Sequence, residues 1–168
     1  MLLDRHDLEL PAETELLLML AARAAFVRQV VRPALARGEI LVADRFSLST
    51  LAYQGYGRGL DLDQVRRMDA FARAGQEPDL VLLLDLPTEE GVRRQRAAGK
   101  GGDRIERAGA EFHERVAAGY RELAAGRGGD GPGSVRVVDA RGTAGAVQER
   151  LREALRTAFP GTFPAPAD

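Results

Sequence analysis

The chain has 168 residues, 45% of them hydrophobic and 29% charged, which is typical of one soluble globular domain large enough for a real core. Its net charge of −1 gives no electrostatic reason to expect nucleic acid as a partner, and no apolar run is long enough to cross a membrane. Cysteine is absent, which excludes disulfides and thiolate metal sites and agrees with a reducing cytoplasm, where we expect the protein to work.

Helical and strand patterns alternate along the chain. The first pattern, residues 14–31, is strongly apolar and predicts a helix that Pro33 breaks or kinks. Three nearly continuous apolar runs predict buried parallel strands: 39–44, 79–85 and 134–139. Four amphipathic patterns predict the other helices: 61–75, 87–99, 105–126 and 146–159. The first of these four is expected to begin with a capping box of Asp61 and Gln64 and to end at Gly75.

This alternation predicts an α/β fold, a parallel sheet with helices on both of its faces. We expect one domain over residues 1–160, followed by a disordered tail at 161–168 that is rich in proline.

Each predicted strand ends in an aspartate: Asp44, Asp85 and Asp139. Ligands of open α/β sheets bind beyond the carboxyl ends of the strands, so these carboxylates are candidates for a binding site. Aspartate is also a common turn and cap residue, which is the structural alternative for Asp85 and Asp139. The two histidines, His6 and His113, have no neighbours with metal-ligand spacing, so we expect no metal site built from protein ligands alone.

Two arginines lie in unusual places. Arg45 follows the predicted strand end, where its planar guanidinium can bind a phosphate with two hydrogen bonds or form a salt bridge with a nearby aspartate. Arg23 interrupts an otherwise apolar ridge of the first helix. An unpaired buried guanidinium is costly, so Arg23 needs a partner, which is either a buried carboxylate or a ligand carbonyl or phosphate.

A third group of arginines lies near the glycine-rich stretch 99–103 and consists of Arg93, Arg94, Arg96 and Arg104. A mobile lid carries such arginines when it closes on a transferring phosphoryl group. The structural alternative is an exposed, solvated helix face.

Four stretches of the chain carry a resemblance to a known family. The most specific is DRFSLSTLAYQGYGRGL (44–60), which begins with an Asp-Arg pair. The others are TELLLMLAARAAFVRQVVRPALARGE (14–39), PDLVLLLDLPTEEGVRR (78–94) and DRIERAGAEFHERVAAGYRELA (103–124). Together they resemble the thymidylate kinase family, P-loop enzymes that phosphorylate dTMP with ATP, and the first is similar to the Asp-Arg signature of that family. The resemblance runs from about Met1 to Asp139 and implies a P-loop kinase-like sheet that lacks its first βαβ unit.

The resemblance implies roles on the phosphate side of the site. Arg45 would hold the dTMP phosphate and act in catalysis, and Asp44 would lie near the phosphates and the magnesium that accompanies ATP. Three arginines would be lid residues that reach the ATP phosphates: Arg94, Arg96 and Arg104. Asp103 and Glu106 would order the lid and the sugar side of the site.

The resemblance also implies contacts with the nucleoside. Arg23 would bind a thymine carbonyl, Thr50 would hydrogen-bond the base, and Tyr53 would pack beneath the deoxyribose and disfavour a ribose 2′-hydroxyl. Gln54 would support that edge of the site. Met19 departs from the family, which commonly has phenylalanine there; a thioether still covers a ring but gives up aromatic stacking.

The donor-phosphate motif G-x-x-x-x-G-K-[ST] has no match in these residues. The sole lysine is Lys100, and Gly101 follows it where the motif requires serine or threonine. We therefore expect that the gene extends upstream of Met1. We also expect that the predicted strands 39–44 and 79–85 lack the strand that lies between them in the family. These 168 residues alone are then expected to have no useful kinase activity.

The leading interpretation is a cytoplasmic dTMP kinase of deoxynucleotide synthesis whose substrates are dTMP and ATP with Mg²⁺. The alternative is a non-catalytic module, derived from a thymidylate kinase, that binds a nucleotide or a partner. A kinase of UMP or CMP is disfavoured by Thr50 and Tyr53. The resemblance also implies a homodimer, for which the apolar residues of 16–31 are suited.

Overall fold

The structure, a computed structural model, describes residues 10–97, 108–126 and 134–164. Its elements follow in chain order: α1 (Ala12–Phe26), a π-helical segment (Val27–Val31), α2 (Arg32–Ala36), α3 (Ser47–Thr50), a second π-helical segment (Leu51–Gly57), α4 (Leu62–Arg73), β1 (Leu80–Asp85), α5 (Thr88–Ala97), α6 (Ala110–Ala124), β2 (Ser134–Asp139) and α7 (Ala144–Ala158). The chain divides into two compact units, Met1–Glu77 with Gly101–Pro132, and Pro78–Lys100 with Gly133–Asp168.

The described part of the first unit is helical. Its core forms where α1, α4 and α6 pack around the second π-helical segment, and Leu51, Val65 and Phe112 are at most 3% exposed. The approach of α6 is close, because a Cβ atom added to Gly57 would lie 2.6 Å from Phe112 Cε2. Glycine is therefore required at position 57 for this packing.

Pro33 does not break the first helix, so of the two predicted outcomes, a break or a kink, the break is wrong. The helix continues through the π-helical segment Val27–Val31 into α2, where Pro33 is one of the first two residues. Proline lacks the N–H that an α-helix would use there, and the Arg32 N–H bonds to the carbonyl of Val27, five residues earlier. The altered hydrogen-bond pattern accommodates the proline and lets the helix run on to Ala36.

The prediction of a strand at 39–44 is wrong. Residues 39–43 have no regular secondary structure and residues 44 and 45 form a bend. Ile40 and Val42 are 66% and 91% exposed. A strand exists only through pairing, and no strand of the described residues pairs with this run, so β-propensity alone does not order it.

Helix α4 agrees with the sequence at both ends. The Asp61 side chain accepts a hydrogen bond of 2.8 Å from the backbone N–H of Gln64, as the predicted cap requires. The helix ends at Arg73, and Ala74 and Gly75 both adopt positive φ angles of 49° and 82°.

The second unit contains the parallel sheet. β1 and β2 pair in register from Leu80 with Ser134 to Asp85 with Asp139, which confirms the two later strands and the parallel α/β class. The described sheet has two strands rather than the three expected. Helices α5 and α7 accompany it, and α7 begins two residues before the predicted 146 because Thr143 caps it through the N–H of Ala146.

Asp139 has the structural role that was the alternative to a binding site. Its carboxylate accepts hydrogen bonds of 2.9 Å from the backbone and the side chain of Arg141. The Arg141 side chain, followed by its backbone N–H, lowers the pKa of Asp139 far below its usual range. This carboxylate closes the turn after β2.

Helix α5 lies within the predicted 87–99, of which residues 98–99 lie outside the described ranges. Helix α6 begins at Ala110, later than the predicted 105, because Ala108 forms a bend and Gly109 has a φ angle of 93°; residues 105–107 lie outside the described ranges. In the predicted tail, Thr162 and Phe163 donate backbone hydrogen bonds to the carbonyl of Phe159, and residues 165–168 lie outside the described ranges. The single domain over 1–160 stays a prediction.

Candidate functional site

The candidate site is built on the loop at residues 44–46 and the helix that follows it. That helix starts as α3 and continues as the second π-helical segment to Gly57, so Thr50, Tyr53 and Gln54 follow one another along it. The sequence patterns predicted no helix over this stretch. Its helical form depends on packing against α6, a contact between segments about sixty residues apart that no local pattern reveals.

Arg45 and Tyr53 form the first contact of the site. Arg45 Nη2 donates a 3.0 Å hydrogen bond to the Tyr53 hydroxyl, and the guanidinium carbon lies 4.7 Å from the Tyr53 ring centroid. Partial burial acts to lower the pKa of Arg45, but the side chains of Tyr53, Tyr120 and Asp44 outweigh it and raise that pKa. The guanidinium is a fixed cation held over an aromatic face.

Tyr120 of α6 joins this contact and was missed as a site residue. Its hydroxyl lies 2.8 Å from Ser49 Oγ, and its ring meets the Tyr53 ring nearly at right angles with centroids 6.2 Å apart. Burial raises the pKa of Tyr120 above its usual value of 10.0. The sequence placed Tyr120 on the apolar stripe of its helix, where it gave the signal of a core residue.

Arg23 lies beside the same helix and makes polar contacts there. Its Nη2 donates a 2.7 Å hydrogen bond to Thr50 Oγ1 and its Nη1 a 3.3 Å bond to Ser47 Oγ. The guanidinium carbon lies 4.6 Å from the Phe46 ring centroid. Since the Arg23 side chain is only 11% exposed, its direction is set by these neighbours.

A buried carboxylate also pairs with Arg23, as one of the two alternatives required. Asp69 of α4 is 2% exposed, and its Oδ1 lies 3.3 Å from Arg23 Nε. Its other oxygen pairs with Arg73 Nε at 2.8 Å. Burial lowers the pKa of Arg23, Asp69 acts to raise it, and Arg73 adds to the lowering. The signal in the sequence was an acid on the buried face of α4, four residues after Val65.

Gln54 and Met19 lie on the two helices that carry Tyr53 and Arg23. Gln54 is buried, and its Nε2 donates a 2.9 Å hydrogen bond to Glu15, which also pairs with Arg58 at 2.9 Å. Met19 is half-buried on α1, one turn before Arg23 on the same helix face.

The predicted lid residues are only partly described. Arg94 of α5 donates hydrogen bonds of 3.1 Å to the carbonyls of Ala140 and Gly142 and pairs with Glu90. Arg96 lies on α5, but its side chain is outside the described part of the chain. The other three lid residues, Asp103, Arg104 and Glu106, are outside the described ranges altogether.

The resemblance implies a magnesium ion that accompanies ATP. Among the residues that the structure describes, no three His, Cys, Asp or Glu side chains group closely enough to hold a metal. Mg²⁺ is usually bound by one or two carboxylates together with substrate phosphates, not by an all-protein cage. Asp44 is an exposed carboxylate next to Arg45 and fits that requirement.

Apolar side chains are exposed on α1 and on the π-helical segment that continues it. Leu17, Leu18 and Val30 are between 42% and 55% exposed. The implied homodimer stays a prediction, which light scattering of the purified chain would test.

Within the described ranges, no helix combines the length and apolar character needed to span a membrane.

Comparison with known proteins gives one consistent result. The family model described as thymidylate kinase matches residues 1–151. The chain is 47% identical over 159 residues to a thymidylate kinase of Desulforudis audaxviator, covering 92% of this chain and 69% of the relative. It is 52% identical over 125 residues to a thymidylate kinase of Synechococcus sp. CC9605, covering 74% of this chain and 59% of the relative. A third relative, from Synechococcus sp. JA-3-3Ab, is 41% identical over 161 residues, with 96% and 75% covered.

Proposed function

The chain belongs to the thymidylate kinase family, and on that basis we propose that it serves the phosphorylation of dTMP to dTDP with ATP and forms the acceptor-nucleotide side of the site. The observation that carries the proposal is the pair of arginines, Arg45 and Arg23, set along one short helix with an aromatic ring and two hydroxyls between them. In this proposal Arg45 contacts the phosphate and Arg23 contacts the base of one nucleotide.

Arg45 supplies the phosphate contact in this proposal. Its guanidinium has five N–H donors, and the Tyr53 hydroxyl uses one of them in the structure. In this proposal the others form two parallel bonds to phosphate oxygens, which is the strongest arrangement for a dianion. Tyr53, whose ring meets the Tyr120 ring nearly at right angles, is proposed to pack beneath the deoxyribose.

Arg23 and Thr50 supply the base contact. Arg23 already bonds to Thr50, so both side chains are oriented before a nucleotide arrives and little side-chain entropy is lost on binding. A thymine carbonyl accepts from arginine, and the Thr50 hydroxyl both donates and accepts. Met19 and Gln54 complete the proposed border of the base and sugar site.

The transfer step requires groups on the donor side as well. Asp44 is the residue that we propose would hold magnesium bound with ATP, and the ion would supply positive charge opposite the phosphoryl oxygens. Arg94, Arg96 and Arg104 are proposed lid arginines, with Asp103 and Glu106 ordering the lid. Arg94 would first have to exchange its carbonyl partners for phosphate oxygens.

Calorimetric titration of the chain with dTMP tests the proposal. We expect Arg45→Ala to weaken dTMP binding by about 10-fold or more, because a charge-assisted phosphate contact is worth about 1.5–3 kcal/mol. Binding of thymidine, which lacks the phosphate, should not change. Arg28→Ala is the matched control, since Arg28 is an exposed arginine of the first π-helical segment. Absence of dTMP binding to the unsubstituted chain, or equal affinities for the Arg45 and Arg28 variants, would refute the proposal.

A further inference from the structure

Asp69 is a buried acid between two arginines. It lies on α4, 2% exposed, with Arg23 on one carboxylate oxygen and Arg73 on the other. Arg73 in turn pairs at 2.7 Å with Glu77, whose side chain is 56% exposed. These ion pairs therefore connect Glu77 at the surface, through Arg73 and Asp69, to Arg23.

The two ends of Asp69 differ in geometry. Arg73 Nε donates a 2.8 Å hydrogen bond to Oδ2. The contact between Arg23 Nε and Oδ1 is an ion pair of 3.3 Å, and both of these buried atoms lack a hydrogen-bond partner in the described part of the chain. Asp69 therefore acts on Arg23 through its charge rather than through an aligned hydrogen bond.

The surroundings of Arg23 make that charge important. The Arg23 side chain is only 11% exposed, and the hydroxyls of Ser47 and Thr50 are neutral acceptors that do not balance its charge. Arg73 repels it. Without the Asp69 carboxylate, the Arg23 side chain would be more stable when turned toward water, away from the two hydroxyls.

We propose that Asp69 is a positioning residue that keeps the Arg23 guanidinium directed at the base of the bound nucleotide. This inference rests on the proposed function, in which Arg23 contacts thymine. Asp69 does not touch the nucleotide; it acts through Arg23, on the base end of the site alone. The phosphate end is held by Arg45, which has no contact with Asp69 among those observed.

This separation defines the test, which compares two ligands by NMR-detected titration. One is dTMP and the other is 1,2-dideoxyribose 5-phosphate, which has the sugar and phosphate but no base. We expect Asp69→Asn, which keeps the side-chain shape and removes the charge, to weaken dTMP binding by about threefold or more. The affinity for the abasic ligand should stay the same. Arg23→Ala should show the same pattern, and adding Asp69→Asn to it should cause no further loss.

Glu77→Gln is the matched control, because it neutralises another acid that pairs with Arg73 without touching Arg23. Arg73→Gln keeps the inference testable if Asp69→Asn does not fold. It leaves Asp69 facing Arg23 alone, so dTMP binding relative to the abasic ligand should be unchanged or tighter. If the role of Asp69 were purely structural, Arg73→Gln would weaken the binding of both ligands by the same factor.

The outcomes separate this inference from the proposed function. If the unsubstituted chain does not bind dTMP, both are refuted. If it binds dTMP through Arg45 but Asp69→Asn weakens both ligands equally, or neither, then only the role of Asp69 is refuted. A loss on Arg73→Gln that is selective for dTMP would also contradict that role.

Discussion

Arg45 adopts a left-handed backbone conformation, with a φ angle of 71°. That conformation costs a residue with a side chain about 1–2 kcal/mol, and strain of this kind is often stored at functional sites. Here the stacking on Tyr53 and the hydrogen bond to its hydroxyl offset part of the cost. The strained backbone turns the chain from the 39–44 run into α3 and places the guanidinium over the ring.

Glu15 gives a stability prediction at the same scale. This carboxylate is 0% exposed and receives hydrogen bonds from Gln54 and Arg58. We expect Glu15→Ala to lower the free energy of unfolding by about 3 kcal/mol, because it leaves a partly buried guanidinium without its partner. Urea denaturation followed by circular dichroism measures the change. Glu13→Ala, at an exposed position of the same helix turn, should stay within about 0.5 kcal/mol. A similar small effect at Glu15 would contradict this account of the network.

At the scale of elements, the end of α4 predicts a stabilising substitution. Ala74 follows the helix with a φ angle of 49°, a conformation that glycine adopts without steric cost. We expect Ala74→Gly to raise the free energy of unfolding by about 0.5–1 kcal/mol, measured by thermal or urea denaturation. Ala70→Gly, one turn earlier at an exposed position inside the helix, should instead lower it by about 1 kcal/mol. Changes of the same sign at both positions would show that the left-handed cap is not present in solution.

The helix spanning α3 and the second π-helical segment depends on its neighbours. Arg115 of α6 donates two hydrogen bonds, of 3.1 and 2.9 Å, to the carbonyl of Gly57 at the end of this helix. A Cβ atom on Gly119 would lie 2.6 Å from the Tyr56 ring. Helix α6 therefore both ends this helix and fits closely along it, which fixes the direction of the side chains of the candidate site.

For the whole molecule, we expect binding of dTMP without catalysis. The residues proposed to bind dTMP are present, whereas the sequence contains no G-x-x-x-x-G-K-[ST] loop to cradle the donor phosphates. We expect the purified 168-residue chain to bind dTMP and to form no dTDP from dTMP and ATP with Mg²⁺ in a coupled or chromatographic assay. Magnesium-dependent formation of dTDP would contradict this expectation, and the control is Arg45→Ala, which should then abolish it.

The sequence alone was sufficient for the elements whose signals are local. Strands β1 and β2 are nearly continuous apolar runs, α4 has its cap at Asp61, and the stretch from Asp44 resembles the signature of the family whose model matches residues 1–151. These features depend on residues close together in the chain, so periodicity, caps and motif spacing reveal them. The residue types proposed for the site were available in the same way, although their roles stay predictions.

Tertiary structure decided what depends on contacts distant in sequence. The 39–44 run has the composition of a strand but no partner among the described residues, so it is not one. The Asp69 carboxylate reaches Arg23 from 46 residues away, counting from 23 to 69, and Tyr120 reaches Ser49 from 71 residues away. The sequence established that a buried arginine needs a partner, because charge burial is costly everywhere. Only the packing of α4 against α1 determined that the partner is Asp69, because pairing is a matter of position in space.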